Sequence, residues 1–499
     1  MEGMLQINAC APCHARVAEI SNNHIRSNEI MDNYIPQIPD TESFFADGQI
    51  DDEDYIYTSF LQSKMFSKGV KCSNCHNPHS TKLKKIDNQT CLQCHNPQKY
   101  NLPAHTFHPV GSQSSLCVSC HMPGKIYMGN DLRHDHSFRV PRPDLSVKYG
   151  TPNACSNCHQ DKSNKYLAAA IIKWYGPNRK YHFADDLIPG SQLNPQSEAH
   201  LKKLIDNMQT PNIIKATAVF YLGNIQTQTS LNTLLKSLNN KDAQVRYRAL
   251  TSLANFEPIS WINEVGPLLS DKVRAVRIAA ADLYITIPSE QMPSQYNTAF
   301  IAAHKELKKY LHYQTDFSVG NVMLADYYLK LKDYGNAEKY YKKGLRKDIK
   351  MNYALLNLSK VFNLQGKNDA ALQTLEIAVK NDSKNEQIYY NMGLLYNEMN
   401  NKPEAEISFA KAVALKSENP RVYYNYSLLL IQSKKFKEAE IVLNKGITIN
   451  PMAPELYYAL TFLYIQTNEI INAQKAAQQL RQLDPNNPQY QELFKNLAI

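Results

Sequence analysis

All ten cysteines of this chain fall in five C-x-x-C pairs, and a histidine directly follows each pair. No cysteine occurs after Cys158, so the pattern is confined to the N-terminal part of the 499 residues. The five motifs are Cys10/Cys13/His14, Cys72/Cys75/His76, Cys91/Cys94/His95, Cys117/Cys120/His121 and Cys155/Cys158/His159. Two thiols at a fixed spacing beside an imidazole, repeated five times, indicate that this part of the chain folds around a bound group.

The C-x-x-C-H run is the attachment signal for c-type haem. Two thiols two residues apart can each add to one vinyl group of a porphyrin, and the adjacent histidine then reaches the iron as its proximal ligand. The sequence therefore predicts five covalently bound haems, with the ten cysteines as attachment points and His14, His76, His95, His121 and His159 as proximal ligands.

Zinc is the strongest alternative, because the stretch from Cys72 to Cys94 fits the zinc-ribbon spacing C-x2-C-x15-C-x2-C. A zinc ribbon uses two pairs for one metal, whereas this chain has five pairs. Zinc also gives no reason for a histidine after every second cysteine. A disulfide framework leaves the histidines equally unexplained, and a thioredoxin-like motif would occur once, on a βαβ pattern that is absent here.

A second set of histidines could supply distal ligands to the irons. A distal imidazole gives a six-coordinate haem that transfers electrons, whereas a haem without one could bind a substrate. Each candidate could instead be a surface or hydrogen-bonded histidine, and His200, His304 and His312 are interpreted as structural. The predicted distal ligands, chosen from seven histidines in residues 1–182 outside the motifs, are His79, His105, His108, His136 and His24.

The segment that carries the motifs lacks the apolar periodicity of an ordinary protein core. It is rich in Pro, Asn, Ser and Lys. We therefore expect the porphyrins to supply the buried apolar surface, so that the segment does not fold without them. Short helices should carry the motifs within an irregular fold, and neighbouring haems should lie close enough to exchange electrons.

Residues 1–165 resemble the C-terminal haem region of a bacterial family of multihaem c-type cytochromes with tetratricopeptide repeats (cytochrome c552/c554-like, with doubled C-x-x-C-H motifs). This resemblance implies c-type haem binding, electron transfer and a location in the periplasm or elsewhere outside the cytoplasm. Matching stretches include C-S-N-C-H-N-P-H-S (72–80), C-V-S-C-H-M-P (117–123), D-H-S-F-R-V-P-R-P-D-L-S (135–146) and T-P-N-A-C-S-N-C-H-Q-D-K-S (151–163).

The resemblance also implies a signal peptide and further haem motifs ahead of Cys10. Here the residues before Cys10 contain neither a basic n-region nor an apolar h-region. We therefore expect the usual N-terminal portion to be missing from this chain.

Two systems of helical repeats follow the motifs. In the first, Ala218, Ala249 and Ala280 recur at equal steps, and the segments 242–250 and 274–283 resemble second helices of HEAT-like repeats. The second has a longer step, which matches the period of about 34 residues that is typical of tetratricopeptide repeats. Its recurring alanines are Ala337, Ala371, Ala405, Ala439 and Ala473.

These patterns predict a mainly α fold in which an irregular multihaem cytochrome domain precedes a HEAT-like and tetratricopeptide α-solenoid. Such a solenoid commonly binds peptides or partner proteins on its concave face. Paired tyrosines recur there once per repeat, and packing between helices explains them at least as well as binding. The predicted segments are 1–165 (haem domain), 166–197 (linker), 198–290 (HEAT-like), 291–316 (linker) and 317–499 (five tetratricopeptide repeats with a C-terminal cap).

Three functions are compatible with the sequence. The favoured one is an electron-transfer cytochrome whose repeats dock redox partner proteins. The second is an oxidoreductase with a five-coordinate haem acting on a small nitrogen or sulfur compound, for which Arg133, Arg139 and Arg142 are the basic residues of interest. The third is a haem-free scaffold. No apolar run is long enough to span a bilayer, and no basic–aromatic pattern indicates nucleic-acid binding.

Overall fold

The computed structural model describes residues 2–25, 28–52, 56–80, 82–485 and 487–499. The chain forms two compact units, Met1–Tyr313 and Gln314–Ile499. Helices dominate both units, so the predicted mainly α fold is confirmed. Among the described residues, no helix is both long and apolar enough to cross a membrane.

Four of the five motifs lie on or beside short helices or turns of the first unit, as the sequence predicts. The first motif lies at the end of a longer helix, α1. Short helices suffice because each needs only to present two thiols and an imidazole to one side. Helices α1–α11 are α1 (Glu2–His14), α2 (Ile56–Leu61), α3 (Lys64–Ser67), α4 (Cys72–Cys75), α5 (Gln89–Leu92), α6 (Pro97–Tyr100), α7 (Pro103–Thr106), α8 (Cys117–His121), α9 (Pro143–Tyr149), α10 (Asn164–Tyr175) and α11 (Ala184–Ser191). Single 3-10 turns occur at Ile30–Asp32, Gln113–Ser115 and Ala154–Asn157.

Two antiparallel hairpins complete this part of the first unit. Strand β1 (Val17–Glu19) pairs with β2 (Tyr34–Pro36), with Val17 opposite Pro36. Strand β3 (Gly124–Tyr127) pairs with β4 (Asp131–His134), with Gly124 opposite His134. The second hairpin follows the fourth motif directly and brings the His134–His136 stretch back beside it.

A long stretch of the motif-bearing segment has no protein core. From Lys64 to Ser114, no described residue is buried. A folded segment of this length normally buries apolar side chains to offset its conformational entropy. The segment thus has no core of its own among the described residues, and the expectation that porphyrins supply its buried surface stays a prediction.

The second half of the first unit consists of packed helices. Three of them, α13, α15 and α17, begin at the equally spaced positions Asn212, Ala243 and Arg274 and contact one another in turn. The first repeat system therefore corresponds to a stack of helices, while its assignment to the HEAT-like class stays a prediction. Helices α12–α18 are α12 (Ser197–Asp206), α13 (Asn212–Leu222), α14 (Gln228–Ser237), α15 (Ala243–Leu253), α16 (Ile262–Val265), α17 (Arg274–Tyr284) and α18 (Asn297–Tyr313). Further 3-10 turns lie at Pro258–Ser260, Gly266–Ser270 and Ser294–Tyr296.

The two segments predicted as linkers, 166–197 and 291–316, differ from that prediction because both contain helices. Helices α10 and α11 occupy much of the first, and α18 fills most of the second. Helix α18 buries Ala303, Leu307 and Leu311 on one face and packs against α17. That apolar spacing continues the helical stack beyond the proline-rich stretch at which the repeats were expected to end.

The stack of helices supports the N-terminal segment through direct hydrogen bonds. Gln244 Nε2 donates to the Pro36 carbonyl oxygen at 2.8 Å, and the Arg274 backbone N–H donates to Asp32 Oδ1 at 2.7 Å. The Asp32 carboxylate thus caps the first turn of α17. The N-terminal segment and the first repeat system therefore form one packed body.

The second unit is built from five helix pairs that repeat at equal steps. The first helices of the pairs begin at Ser318, Asn352, Glu386, Pro420 and Pro454, and the second helices at Tyr334, Asn368, Lys402, Phe436 and Ile470. The five recurring alanines are fully buried, because neighbouring helices approach closely there. After a 3-10 turn (Gln314–Asp316), the helices are α19 (Ser318–Lys330), α20 (Tyr334–Lys347), α21 (Asn352–Leu364), α22 (Asn368–Asn381), α23 (Glu386–Glu398), α24 (Lys402–Ala414), α25 (Pro420–Gln432), α26 (Phe436–Ile449), α27 (Pro454–Gln466), α28 (Ile470–Leu483) and the terminal α29 (Pro488–Asn496).

In two of the tyrosine pairs of the repeats, one tyrosine is buried and the other is partly exposed. Tyr390 and Tyr423 are buried, and the Tyr423 hydroxyl donates to the Ser417 carbonyl oxygen at 2.8 Å. Their sequence neighbours Tyr389 and Tyr424 are only partly buried. One member of each of these two pairs is therefore a core residue.

Candidate haem-binding region

The cysteines of successive motifs lie next to one another in space. Burial and the neighbouring Cys10 thiol raise the pKa of Cys72 to about 11. Burial, followed by the charge of Cys94, raises the pKa of Cys75. The first motif thus lies beside the second, and the second beside the third.

The last three motifs continue this order. A hydrogen bond between Cys91 and Cys117 raises the pKa of Cys91 and lowers that of Cys117 to about 7. Burial, followed by the charges of Cys155 and Cys158, raises the pKa of Cys120. The five motifs therefore follow one another in space in the same order as in the sequence.

Three of the predicted distal histidines face a proximal histidine. The ring centroids of His76 and His136 lie 6.4 Å apart, those of His105 and His121 6.2 Å apart, and those of His108 and His159 6.0 Å apart. The ring planes of these pairs are inclined by 27°, 10° and 31°. In each pair one imidazole belongs to a motif and the other does not.

These separations fit two imidazoles that share one metal ion. A metal–imidazole bond is about 2 Å long and the ring centroid lies about 1.1 Å behind the nitrogen, so two such ligands place their centroids about 6.2 Å apart. The same separations also fall within the range of about 4.5–7 Å found for direct aromatic pairs, so the presence of one motif histidine in every pair, rather than the distance alone, points to a metal. The donor set at these three sites therefore fits a haem iron between the paired rings.

Backbone carbonyls orient several of these imidazoles. His121 Nδ1 donates to the Arg139 carbonyl oxygen at 2.7 Å, His108 Nδ1 to that of Thr106 at 2.6 Å, and His136 Nδ1 to that of His134 at 2.8 Å. A proton fixed on Nδ1 leaves the Nε2 lone pair for a metal, which is the usual arrangement of metal-bound histidine.

The surroundings of two of these distal imidazoles, His105 and His136, lower their pKa. Burial lowers the pKa of His136, as does the nearby His76 to a smaller extent. Burial, followed by the charge of His121, lowers the pKa of His105. A histidine must be unprotonated to bind a metal, so these environments favour ligation near neutral pH.

The remaining motif histidines, His14 and His95, have no imidazole facing them among the described residues. The His95 ring lies edge-on to Tyr100 at 5.6 Å. Of the other two predicted distal ligands, His24 Nε2 lies 2.7 Å from Glu19 Oε1, and the exposed His79 contacts no motif histidine in the part of the chain that the structure describes. The roles of His24 and His79 as ligands stay predictions.

His134 makes the same kind of hydrogen bond from Nδ1 to a backbone carbonyl, but it was not among the predicted distal ligands. Its Nδ1 donates to the Met122 carbonyl oxygen at 2.6 Å, across the β3–β4 hairpin. The H-D-H sequence contains two candidate imidazoles, His134 and His136. Nothing in the sequence indicated that both could bind a metal, so only His136 was selected.

The zinc alternative requires Cys72, Cys75, Cys91 and Cys94 to converge on one point. Among the described residues, no group of three or more His, Cys, Asp or Glu side chains is arranged to hold a metal ion. Cys75 lies near Cys94, but Cys72 lies beside Cys10 and Cys91 is hydrogen-bonded to Cys117, so two of the four thiols are paired with thiols outside the zinc-ribbon set.

The three arginines of interest for a substrate pocket each face carboxylates. Arg133 Nε lies 2.7 Å from Asp131, and Arg142 makes a bidentate contact with Asp144. Arg139 lies between Asp47 and Asp135, with nitrogen–oxygen distances of 3.7 and 3.9 Å. Since these guanidinium groups are engaged locally, they hold loops together and are poorly placed to bind an anionic substrate.

Comparison with known families supports both halves of this description. Residues 64–100 match the doubled CXXCH motif family. Residues 322–386 match one tetratricopeptide repeat family, and residues 386–419 and 420–451 match another. No curated protein matches the sequence. The matches indicate haem binding in the first unit and protein–protein interaction by the second.

Several solved structures resemble part of the chain. The crystal structure of MamA protein is 22% identical and covers 35% of this chain and 95% of its own, with a TM-score of 0.31. YrrB, described as a TPR protein with an unusual peptide-binding site, is 15% identical over 38% of this chain and 97% of its own, with a TM-score of 0.31. Pseudomonas aeruginosa pilF is 19% identical over 47% of this chain and 99% of its own, with a TM-score of 0.33.

Proposed function

We propose that residues 1–165 bind five haems covalently and transfer electrons between them, and that the helical repeats dock redox partner proteins. The observation that carries this proposal is the set of three histidine pairs whose ring centroids are 6.4, 6.2 and 6.0 Å apart. When bound, the haems supply the redox centres. The protein supplies thioether attachment, imidazole ligands and their orientation.

On this proposal, the pairs would provide two histidine ligands at three of the five sites. The site at Cys72 and Cys75 would use His76 and His136. The two remaining assignments are His121 with His105 at Cys117 and Cys120, and His159 with His108 at Cys155 and Cys158. Two imidazoles on one iron leave no position for a substrate, which favours electron transfer over catalysis at these sites.

The order of the motifs supports a linear path for electrons. Because successive motifs approach through their cysteines, the attachment sites would follow one another from the first to the fifth. Partner proteins would then donate and accept electrons at the two ends of the row. The tetratricopeptide repeats provide a surface for a protein or peptide partner.

An oxidoreductase is the second candidate function. It is favoured by one observation: among the described residues, no imidazole faces His14 or His95. A five-coordinate iron at either site could act on a small nitrogen or sulfur compound. Arg133, Arg139 and Arg142 are paired with aspartates, which argues against the basic substrate pocket first considered for such an enzyme.

Haem attachment through C-x-x-C-H motifs takes place outside the cytoplasmic membrane. We therefore propose a periplasmic or other extracytoplasmic location for the mature protein. Fractionation of the native host should recover the haem-bearing protein outside the cytoplasm, and recovery from the cytoplasm alone would contradict this location.

Electron paramagnetic resonance of the ferric protein tests the function. The proposal predicts at least three low-spin haems, none of which changes its spectrum when imidazole is added. Two further low-spin haems would favour the carrier, whereas a high-spin signal that responds to added ligand would favour the enzyme. Fewer than three low-spin haems would contradict the assigned pairs.

A further inference from the structure

A basic cleft lies in the first unit between α18 and the loop that follows β1. Its volume is about 750 Å³, and none of its described lining residues belongs to a C-x-x-C-H motif. One face of α18 provides Lys305, Lys308 and Lys309, the loop provides Ser21, and Arg274 lies at the base of the wall formed by α17. We refer to this cavity as the α18 cleft.

The described lining residues of the α18 cleft carry several positive charges. No aspartate or glutamate is among its described lining residues. Two carboxylates bond to lining residues without lining the cleft themselves: Glu19 accepts the Tyr313 hydroxyl at 2.6 Å, and Asp32 accepts the Arg274 backbone N–H at 2.7 Å. Clustered cations on one helix face repel each other, so an anion in the cleft would relieve this repulsion.

Arg274 is the strongest sign that the cleft is built for a ligand. Only 7% of its surface is exposed, and its Nε is fully buried with no hydrogen-bond partner among the described residues. One guanidinium nitrogen donates to Ser21 Oγ at 3.2 Å. A buried guanidinium with an unused donor is unfavourable unless an acceptor completes it.

We propose that the α18 cleft binds a compact, multiply charged oxyanion of the phosphate class, held by Arg274 and the α18 lysines. A guanidinium matches two oxygens of such a group, and lysines add charge at variable distance. The volume exceeds that of a single phosphate, so the cleft also accommodates a polyphosphate or a phosphorylated small molecule.

The cleft is connected to the first motif through a chain of polar contacts. Tyr313 donates to Glu19, whose other carboxylate oxygen lies 2.7 Å from His24 Nε2. His24 Nε2 lies 3.3 Å from the Tyr34 hydroxyl, and Tyr34 lies on β2, which pairs with β1, the strand that follows the first motif. If the proposed haem attachment at Cys10 and Cys13 is correct, a bound anion should favour the ferric state there and lower that haem's reduction potential.

Calorimetric titration of the haem-loaded, full-length protein with inorganic phosphate, pyrophosphate and tripolyphosphate tests the site. The titrations should be run at constant ionic strength set with chloride. We expect saturable 1:1 binding that tightens with the charge of the probe. Arg274→Gln should weaken binding about tenfold, the effect of losing one charge-assisted contact.

Two further variants separate a binding effect from a folding defect. Lys308→Ala removes an exposed cation of the cleft and should also weaken binding, whereas Lys272→Ala removes an exposed lysine outside the cleft and should not. Equal affinity in wild type, Arg274→Gln and Lys308→Ala would overturn the proposal. The absence of saturable binding would also overturn it. This outcome would be expected if a propionate of the first haem fills the cleft.

Redox titration with and without saturating tripolyphosphate tests the link to the first motif separately. One of the haem potentials should fall, and Lys308→Ala should reduce that change. Saturable binding without any change in potential would overturn the link but not the anion site. If the protein acquires no haem when it is exported with the haem-attachment machinery but still binds tripolyphosphate, the proposed function is contradicted and the anion site is not.

Discussion

Several histidines of the candidate haem sites make the hydrogen bond that is typical of metal-bound imidazoles. His108, His121 and His136 each donate a hydrogen bond from Nδ1 to a backbone carbonyl, which leaves Nε2 available for a metal. This arrangement fixes both the tautomer and the direction of the ring. On the proposed function, the cysteines would determine where a porphyrin attaches, and these carbonyls would orient histidines that bind its iron.

Sequence reasoning identified the proximal histidines by their position but not the pairing of the distal ones. His76 and His136 are far apart in the chain, and their approach depends on how the β3–β4 hairpin folds back. The arginine contacts, by contrast, had a local signal: Asp131 and Asp144 stand two residues from Arg133 and Arg142. Such close pairs predict local ion pairs, and the sequence analysis did not use them.

His136→Ala should convert one low-spin haem into a high-spin haem. The substitution removes the imidazole opposite His76 and leaves the proximal ligand in place. The change should appear in the ferric paramagnetic resonance spectrum, and added imidazole should restore the low-spin signal.

His200→Asn provides the matched control for this substitution. His200, on α12, contacts Asp186 and faces no motif histidine in the described part of the chain. Its replacement should leave the spectrum unchanged. A low-spin count that is identical in the wild type and His136→Ala would rule out His136 as a ligand.

The stability of the second unit should depend on the ionisation of Glu338. Burial of this carboxyl opposes ionisation, but hydrogen bonds from Lys342 and Lys367 outweigh it and lower its pKa to about 2. Because the folded-state pKa lies below the ordinary value of 4.5, the stabilisation is complete above about pH 4.5 and is lost as the pH falls toward 2.

Glu338→Gln should therefore destabilise the second unit by about 1–2 kcal/mol at neutral pH, since the two lysines are half exposed and solvent screens part of the interaction. Native-state hydrogen exchange of α20 in the full-length protein measures the difference. Glu376→Gln, at an exposed position of α22, is the control and should have little effect. A difference that does not shrink between pH 5 and pH 2.5 would contradict this account.

At the scale of elements, the two repeat systems predicted the positions of helices closely. Each period of the sequence reappears as the spacing between helix starts, because one repeat is one packing unit and small residues must recur where helices touch. Helix α18 was missed because Pro288 and Pro293 precede it and no full repeat follows it. The apolar spacing of Ala303, Leu307 and Leu311 was a signal for this helix, and the sequence analysis did not use it.

Gly446 illustrates how tightly the helices of the second unit pack. A Cβ atom at this position of α26 would lie 2.7 Å from the Cβ of Tyr423, which is fully buried and cannot move aside. Gly446→Ala should therefore destabilise the second unit by about 1–2 kcal/mol, because the overlap outweighs the better helix propensity of alanine.

Gly335→Ala is the corresponding control in α20. Its Cβ would meet only a side-chain oxygen of Asp333 at 3.8 Å, so alanine should be neutral or stabilising by up to about 1 kcal/mol. Thermal unfolding of the full-length variants measures both effects. If the two substitutions shift the transition of the second unit equally, close helix approach at Gly446 is not the reason for its glycine.

At the scale of the whole molecule, the two units differ in what holds them together. The second unit has extensive apolar clusters of its own, whereas the described residues from Lys64 to Ser114 contribute no buried side chain. Sequence composition predicted this contrast, because a segment rich in polar residues and proline cannot build a core without a large apolar ligand.

Protein produced without haem attachment should accordingly lose structure in one part only. Hydrogen exchange should show unprotected amides across residues 64–114, while the helices of Gln314–Ile499 remain protected as in the haem-bearing protein. Circular dichroism should retain most of the helical signal. Equal protection of residues 64–114 in both preparations would mean that the segment folds without a porphyrin.

The central claim concerns covalent haem, and intact-mass spectrometry of the exported protein, combined with a pyridine haemochrome assay, tests it most directly. The account predicts a mass increase equal to five haems, five irons per chain and no cysteine that reacts with a thiol reagent. Ten reactive thiols with no haem absorbance, or zinc in place of iron, would contradict it.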